Sequence, residues 1–311
     1  MKKPCLSAPS LSLNRLASMA FVLVVFLMTS CRAERKPGEA ATPNFAAGVV
    51  TDEDLAQLTA SKELERLDLR SQKVTDEGLR ALQGMAQLRV LHLDGTPITD
   101  RGLAHLKALP ALRQLSLCRT QISVSGLLQL KDLPQLTELD LSETEVSGSV
   151  IPTLKNFPHL RVLKLHGCKN VDGECLRKLP NLSQLSELDL SLTKISDPDL
   201  AVLKVLPHLQ KLDLSSTAVA GPGLAHLKEL PELKDLRLSQ TEITAAGLIH
   251  LQGMPNLRTL QVIHTSINLE QVRDMDEVLP PWRVIDMGMR PFREDWGREA
   301  AQGFPGLNIF V

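Results

Sequence analysis

The sequence predicts an α/β solenoid, a curved horseshoe with a parallel concave sheet and short convex helices. Three observations predict it. The phrase Leu-x-x-Leu-x-Leu begins at Leu64, Leu88, Leu112, Leu136, Leu160, Leu185, Leu209, Leu233 and, with Val262 for its last Leu, Leu257, in steps of 24 residues with a single step of 25. Nine copies in one register are the signature of a repeat architecture, and one solenoid can occupy a chain of 311 residues without splitting into domains. A residue that can cap a helix follows almost every copy at a fixed offset. Hydrophobic residues make up 43% of the chain but aromatics only 3%, with no Tyr, which suits a core made of one repeated aliphatic layer.

Residues 1–30 come first and stand apart from the fold. Lys2, Lys3 and Arg15 precede the apolar run LASMAFVLVVFLM, residues 16–28. That run is short for a membrane span, which needs about 20 residues, and suits the apolar core of a secretory signal. It ends in LMTSC, with small Thr29 and Ser30 before Cys31, and this resembles the bacterial lipobox. The resemblance implies cleavage before Cys31 and acylation of that cysteine, although Met28 stands where Leu is commoner. An ordinary cleaved signal and an uncleaved anchor are the alternatives. Arg32, where Asp would imply inner-membrane retention, favours an outer-membrane address facing the periplasm or the surface. Residues 31–43, rich in charge, Ala and Pro, then form a solvated tether.

Residues 44–63 are expected to be an N-terminal cap, since VVTDEDLAQL at 49–58 is the second half of a repeat with no full first half. Residues 64–281 hold the nine repeats. In each, the alternation Leu-x-Leu gives a short strand with one buried face. Thr51, Thr75, Thr99, Ser123, Ser147, Asp172, Ser196, Thr244 and Asn268 then stand where a helix N-cap belongs, and only Ala220 lacks a capping side chain. A stripe such as Leu103, Leu106 and Leu109 turns inward from the helix. One unit cannot bury its Leu set alone, so neighbours stack. Strands about 4.8 Å apart beside helices about 10 Å apart force curvature. In residues 282–311, Trp282, Ile285 and Met287 supply a final strand and the remainder a C-terminal cap. Trp282, Phe292, Trp296, Phe304 and Phe310 gather there, either to cover the last Leu layer or to anchor a partner.

The repeat over residues 45–287 resembles the leucine-rich-repeat family. The resemblance implies a buried side chain eight residues after each first Leu, hydrogen-bonded between coils. Those positions are Gln72, Thr96, Thr120, Thr144, Cys168, Thr193, Thr217, Thr241 and Thr265, so Thr replaces the usual Asn or Cys. Phrases such as Ile-Thr-Asp-x-Gly-Leu look like bacterial variants. CKNVDGECL, residues 168–176, is similar to the cysteine-containing subclass of F-box adaptors.

Net charge is −1 with no long run of one sign, so nucleic acid is not an expected partner. The outward strand positions were tested for chemistry. Ser142, His166 and Ser191 beside Asp140 and Asp189 have a hydrolase composition, but Leu-Asp-Leu-Ser recurs as part of the repeat and a shallow sheet offers no oxyanion hole. Asp189 beside Asp213 resembles a calcium pair, which Lys164, Lys211 and Arg237 can neutralise across strands. His92, Asp94 and Cys118 could meet zinc, yet ligands on one flat face rarely form a tetrahedron. No catalytic residue, metal or cofactor is therefore expected. Cys168 and Cys175 flank the one irregular turn, and an exported chain could pair them as a disulfide.

The expected function is a non-enzymatic, membrane-tethered, monomeric module that binds a protein. Its expected contact residues are Glu138, Asp140, Lys164, His166, Glu187, Asp189, Lys211, Asp213, Asp235 and Arg237. Their balance suits a basic or mixed-charge partner, and the lack of aromatics suits modest affinity. A structural envelope component without a discrete partner is the alternative. An adaptor of the F-box type and an enzyme stand further back.

Overall fold

The structure is a computed structural model that describes residues 49–58, 63–178, 182–268, 271, 284–287 and 308–310. The signal segment, the tether and most of the C-terminal cap lie outside them. Eleven parallel strands form one open sheet in chain order. They are β1 Arg66–Asp68, β2 Val90–His92, β3 Gln114–Ser116, β4 Glu138–Asp140, β5 Val162–Lys164 and β6 Glu187–Asp189. The series continues with β7 Lys211–Asp213, β8 Asp235–Arg237, β9 Thr259–Gln261, β10 Val284–Asp286 and β11 Asn308–Phe310. Central leucines pair with central leucines, as in Leu67 with Leu91 and Leu163 with Leu188, so the single extra residue of the irregular repeat is absorbed outside the sheet. One continuous core of buried Leu, Ile and Val runs from Val50 to Met287.

β11 is the one strand beyond the expected last. Ile285 pairs with Leu260, 25 residues earlier, and with Ile309, 24 residues later, so the sheet continues after the Leu pattern has lapsed. At the corresponding places Gly306, Ile309 and Val311 replace Leu, and a glycine in the first place hides the copy.

Each strand ends in the same sharp turn. Asp140, Asp189 and Asp213 each accept the backbone N–H of the serine two residues on, at 2.9 Å. These Asx turns give Leu-Asp-Leu-Ser its structural reason. The next residue takes the left-handed conformation in all nine copies: Gly95 and Gly167 in two, and Ser71, Arg119, Glu143, Leu192, Ser216, Gln240 and His264 in the others. Left-handed backbone costs a non-glycine residue roughly 1 kcal/mol, and a branched aliphatic side chain has no polar group to offset it. Leu192, at φ 55° and 48% exposed, is the least suited of the seven. Leu192→Asn is expected to raise stability by about 0.5–1 kcal/mol, read as a higher urea midpoint at unchanged slope.

The Thr row then departs from expectation. Thr96, Thr120, Thr144, Thr193, Thr217 and Thr241 donate from Oγ1 to the carbonyl three residues earlier in their own coil, at 2.5–2.6 Å. The bonds close turns within coils. A Thr side chain carries one short donor, so it is satisfied locally. Cys168, the longer thiol, reaches the Leu141 carbonyl of the previous coil at 3.1 Å, and Gln72 accepts the Val50 N–H at 2.7 Å.

The convex side is built of very short pieces. Asp52–Gln57, Asp100–Leu106, Val124–Gln129, Gly173–Leu176 and Ala245–Leu248 are α-helical. Gly78–Leu82, Ile151–Asn156, Asp197–Val205 and Pro222–Glu229 are 3₁₀ helices, which are tighter. Thr99, Ser123, Asp172 and Thr244 cap as expected, and Thr51 and Ser196 form capping boxes with Asp54 and Asp199. Thr75 and Ser147 do not cap, because their 3₁₀ segments start later, after Glu77 and Val150.

A second row of bonds joins these pieces, and it was not expected. Asp52, Asp76 and Asp100 each reach the next coil and accept both the N–H and the hydroxyl of Thr75, Thr99 and Ser123, at 2.5–2.8 Å. Each carboxylate fills the space where a Cβ on Gly78, Gly102 or Gly126 would fall, 2.1–2.4 Å from Oδ1. That is the physical content of Thr-Asp-x-Gly: one coil supplies the side chain and the next supplies the vacancy. In the irregular coil the roles reverse, with Gly148 facing Cys175 and Gly173 facing Asp199.

Candidate functional site

The sheet register settles which side chains share the strand face. Glu138, Val162, Glu187, Lys211 and Asp235 follow one another as direct partners across β4 to β8. Asp140, Lys164, Asp189, Asp213 and Arg237 form the neighbouring column in the same way. Nine of the ten expected contact residues therefore lie on two adjacent columns of five strands. His166 belongs to the third, just past β5.

Charges on this face are largely paired. Lys164 lies 3.4 Å from Glu138 and 3.8 Å from Asp140, Lys211 3.3 Å from Glu187, and Arg237 3.5 Å from Asp213. Burial disfavours the Lys164 ammonium, but the Asp140 and Glu138 carboxylates outweigh that and hold its pKa above the usual lysine value. Lys164 thus turns toward β4, away from Asp189. Asp189 is satisfied instead by Ser191, whose N–H and hydroxyl both donate to it.

That arrangement does not order these residues as a catalytic triad. His166 Nδ1 lies 2.7 Å from Ser191 Oγ, and Ser191 Oγ donates to Asp189 Oδ1. The serine sits between histidine and carboxylate. A triad needs the histidine in the middle, taking the serine proton while the carboxylate holds its far nitrogen. Here the carboxylate already accepts that proton.

The zinc grouping fares no better. His92 Nδ1 is 4.0 Å from Asp94 Oδ2, while Asp94 accepts the Ser116 hydroxyl and the Cys118 N–H. Among the described residues, no group of three or more His, Cys, Asp or Glu side chains is placed to hold a metal ion. Burial, then the carboxylates of Asp140, Asp94 and Glu143, push the Cys118 thiol up to about 11. The thiolate is the ligand and nucleophile, so this environment quiets the residue. Alkylation of Cys118 by iodoacetamide at pH 8 is expected to run about 100-fold slower than that of a free peptide cysteine, rising about tenfold per pH unit. Site-resolved mass spectrometry of the labelled peptide measures it.

Cys168 and Cys175, which the sequence allowed to pair or to stay apart, are both free thiols in this structure. Each is held by its own coil position. Cys168 is buried in the turn row with its thiol on the Leu141 carbonyl. Cys175 takes the place of a repeat glycine, packs against Gly148 and directs its thiol to Asn170 O at 3.5 Å. Burial raises the pKa of both. Cys31 and the aromatic tail lie outside the described residues, apart from the backbone of β11. No helix among the described residues is long and apolar enough to cross a membrane.

Comparison with known proteins supports the architecture. A family model described as Zer-1-like, Leucine-rich repeats matches residues 127–245, and a second, described as Leucine Rich repeat, matches residues 61–82. No curated protein matches the sequence. Among solved structures, an internalin (inlF) from Listeria monocytogenes is similar with a TM-score of 0.52 at 17% identity, covering 95% of both chains. Internalin C2 from the same organism gives 0.51 at 23% identity over 68% of this chain and 84% of that one. The mouse RP105/MD-1 complex gives 0.58 at 20% identity, over 82% of this chain and 44% of that one. At these identities the likeness is one of fold. Register, repeat step and the family models that match parts of the chain agree on the fold: an α/β solenoid of leucine-rich repeats, an architecture commonly used as a protein-binding module.

Proposed function

We infer that this protein is a non-enzymatic, lipid-anchored module of the cell envelope that holds a basic or mixed-charge protein on its strand face. The observation that carries the reading is the in-register pair of charged columns on β4 to β8, presented on a rigid sheet. Backbone pairing joins each of these strands to the next, so the contact side chains are held ready before a partner arrives. Six carboxylates stand against three cations on these columns, so the face stays net negative, which favours specificity and a fast encounter with a basic surface over raw affinity. The lipobox-like LMTSC supports a tether at Cys31. The order of His166, Ser191 and Asp189 speaks against hydrolysis.

Crosslinking in intact cells of the native host, followed by mass spectrometry of the membrane fraction, tests both halves. The reading expects an acylated Cys31 and one recurrent crosslinked protein that is lost in the variant Glu187→Arg with Asp235→Arg. An unmodified, freely soluble chain would remove the tether. A crosslinked partner indifferent to those two substitutions would remove the strand face.

A further inference from the structure

The charges of the solenoid are sorted by flank. Every coil leaves its strand along one lateral edge and returns from its helix along the other. On the returning edge Lys107 is the C-cap of its helix, and Lys155, Lys204 and Lys228 stand in the last turns of theirs. Lys131 directly follows the C-cap Leu130. All five are exposed, and among the described residues none of their ammonium groups has a hydrogen bond or ion pair. At the far end of the same return loops, one residue before the strands, Arg113, Arg161 and Arg258 are exposed with unpaired guanidinium groups. The opposite flank carries more acids than cations, although Lys73, Lys169 and Lys194 stand on it, as Asp132, Glu229 and Glu232 stand among the cations of the returning edge. Asp100, Glu174 and Asp197 open their convex segments there, and Glu143 and Glu145 lie in the turn before another.

Helix dipoles favour these signs at these ends. The repeat then does something a single helix cannot: it draws the cations into a straight row with about 10 Å between neighbours on the convex side. That is close to a Debye length at physiological salt, so the lysines hardly repel one another and each acts separately on whatever faces them. The row has no cleft and no exposed aromatic, so it offers nothing that would orient a single ligand. It fits a flat, diffuse negative surface. Lysine, a mobile point charge on a long stem, suits headgroups that move laterally. The stretch between Cys31 and Val49 reaches at most roughly 60 Å when extended, which keeps the flank within range of the bilayer.

We propose that the flank on which helices return to strands is a docking face for anionic phospholipid, laying the solenoid on its side against the membrane. In that posture the strand face and the acidic flank stay open to a partner. The proposal rests on the tethered reading for its membrane, and its test separates the two.

Flotation of the full-length protein with phosphatidylcholine vesicles, and with the same vesicles doped with phosphatidylglycerol, reads the flank as the difference between them. Acyl chains contribute alike to both, and the cations of residues 1–36 are common to every variant, so the flank is read from the change between variants. The expected preference for anionic vesicles falls steeply with salt. It drops about 100-fold in the triple variant Lys107→Glu, Lys131→Glu, Lys155→Glu, at about fivefold per lysine. Reversal of Lys73, Lys169 and Lys194 on the opposite flank makes the same change in net charge and is expected to leave most of it. Unaltered urea midpoints show that both variants fold. Equal binding to the two vesicles overturns the proposal, as does an equal loss in both triple variants. Binding to immobilised polyglutamate but not to anionic vesicles also overturns it, putting an acidic protein in the lipid's place. Acylation of Cys31 without any anionic preference removes the flank alone. An unmodified Cys31 with the preference intact removes the tether alone.

Discussion

Gly102→Ala is expected to destabilise the protein by about 3 kcal/mol, a large loss for one methyl group on a convex surface. The new Cβ would lie 2.4 Å from Asp76 Oδ1 and 3.0 Å from Leu79 Cδ1. Neither neighbour is free to give. Leu79 is fully buried, and the Asp76 carboxylate is fixed by the Thr99 N–H at 2.7 Å and the Thr99 hydroxyl at 2.6 Å. Moving it aside frees the N-cap residue Thr99 from the preceding coil, at the start of the helix that begins at Asp100. Asp76→Ala alone removes the two bonds but lets water reach the half-exposed Thr99, and is expected to cost about 1–2 kcal/mol. With Asp76→Ala in place the Gly102 methyl has room, so the double variant should be little worse than Asp76→Ala. The coupling, about 2 kcal/mol, appears as non-additivity of urea midpoints. Strictly additive losses would mean that the clash is relieved by backbone movement and that the two positions are not interlocked.

The same pair shows what could be read from the sequence and what could not. The Leu step fixes strands, core and register, because a hydrophobic pattern of period 24 leaves one way to stack. The capping residues gave most helix starts for the same local reason. The interlock of Asp76 with Gly102 joins residues 26 apart that are unremarkable alone, a capping-region acid and a small residue. Only the stacked coils bring them together. Reversal of the roles at Gly148 with Cys175, and at Gly173 with Asp199, was hidden further by the inserted residue. The direction of the Thr bonds was missed because a family expectation built on Asn was carried to a side chain with one donor. The strand face was more legible. Register puts nine of the ten expected contact residues on two columns, since alternation already specifies which way each points. Their pairing was less so. Lys164 serves Glu138 and Asp140, whereas the sequence offered Asp189 as well, and side-chain direction within a column is set by neighbours that a one-dimensional reading weighs equally.

Asp197→Ala is expected to cost about 3 kcal/mol, more than Asp100→Ala on the same row at about 1–2 kcal/mol. The difference comes from what the next coil can do for itself. At Ser123 the cap hydroxyl accepts the Ser125 N–H, so losing Asp100 leaves the helix start partly served. The coil that begins at Ala220 has no such side chain. Its turn depends on Asp197, which accepts the N–H of Ala220 at 3.2 Å, of Gly221 at 3.2 Å and of Gly223 at 2.9 Å. One carboxylate from the neighbouring repeat replaces the missing cap. Gly221 is held at φ 138°, against the backbone of Gly247, a conformation with no rigidity of its own. Loss of Asp197 should therefore open the segment Pro222–Glu229 locally before the sheet melts. Hydrogen exchange at Gly221, Gly223 and Leu224 would accelerate in Asp197→Ala, while amides of β6 and β7 keep their protection. Uniformly faster exchange across both coils would mean that the carboxylate stabilises the stack as a whole, and unchanged exchange at Gly223 would mean that water replaces it without loss.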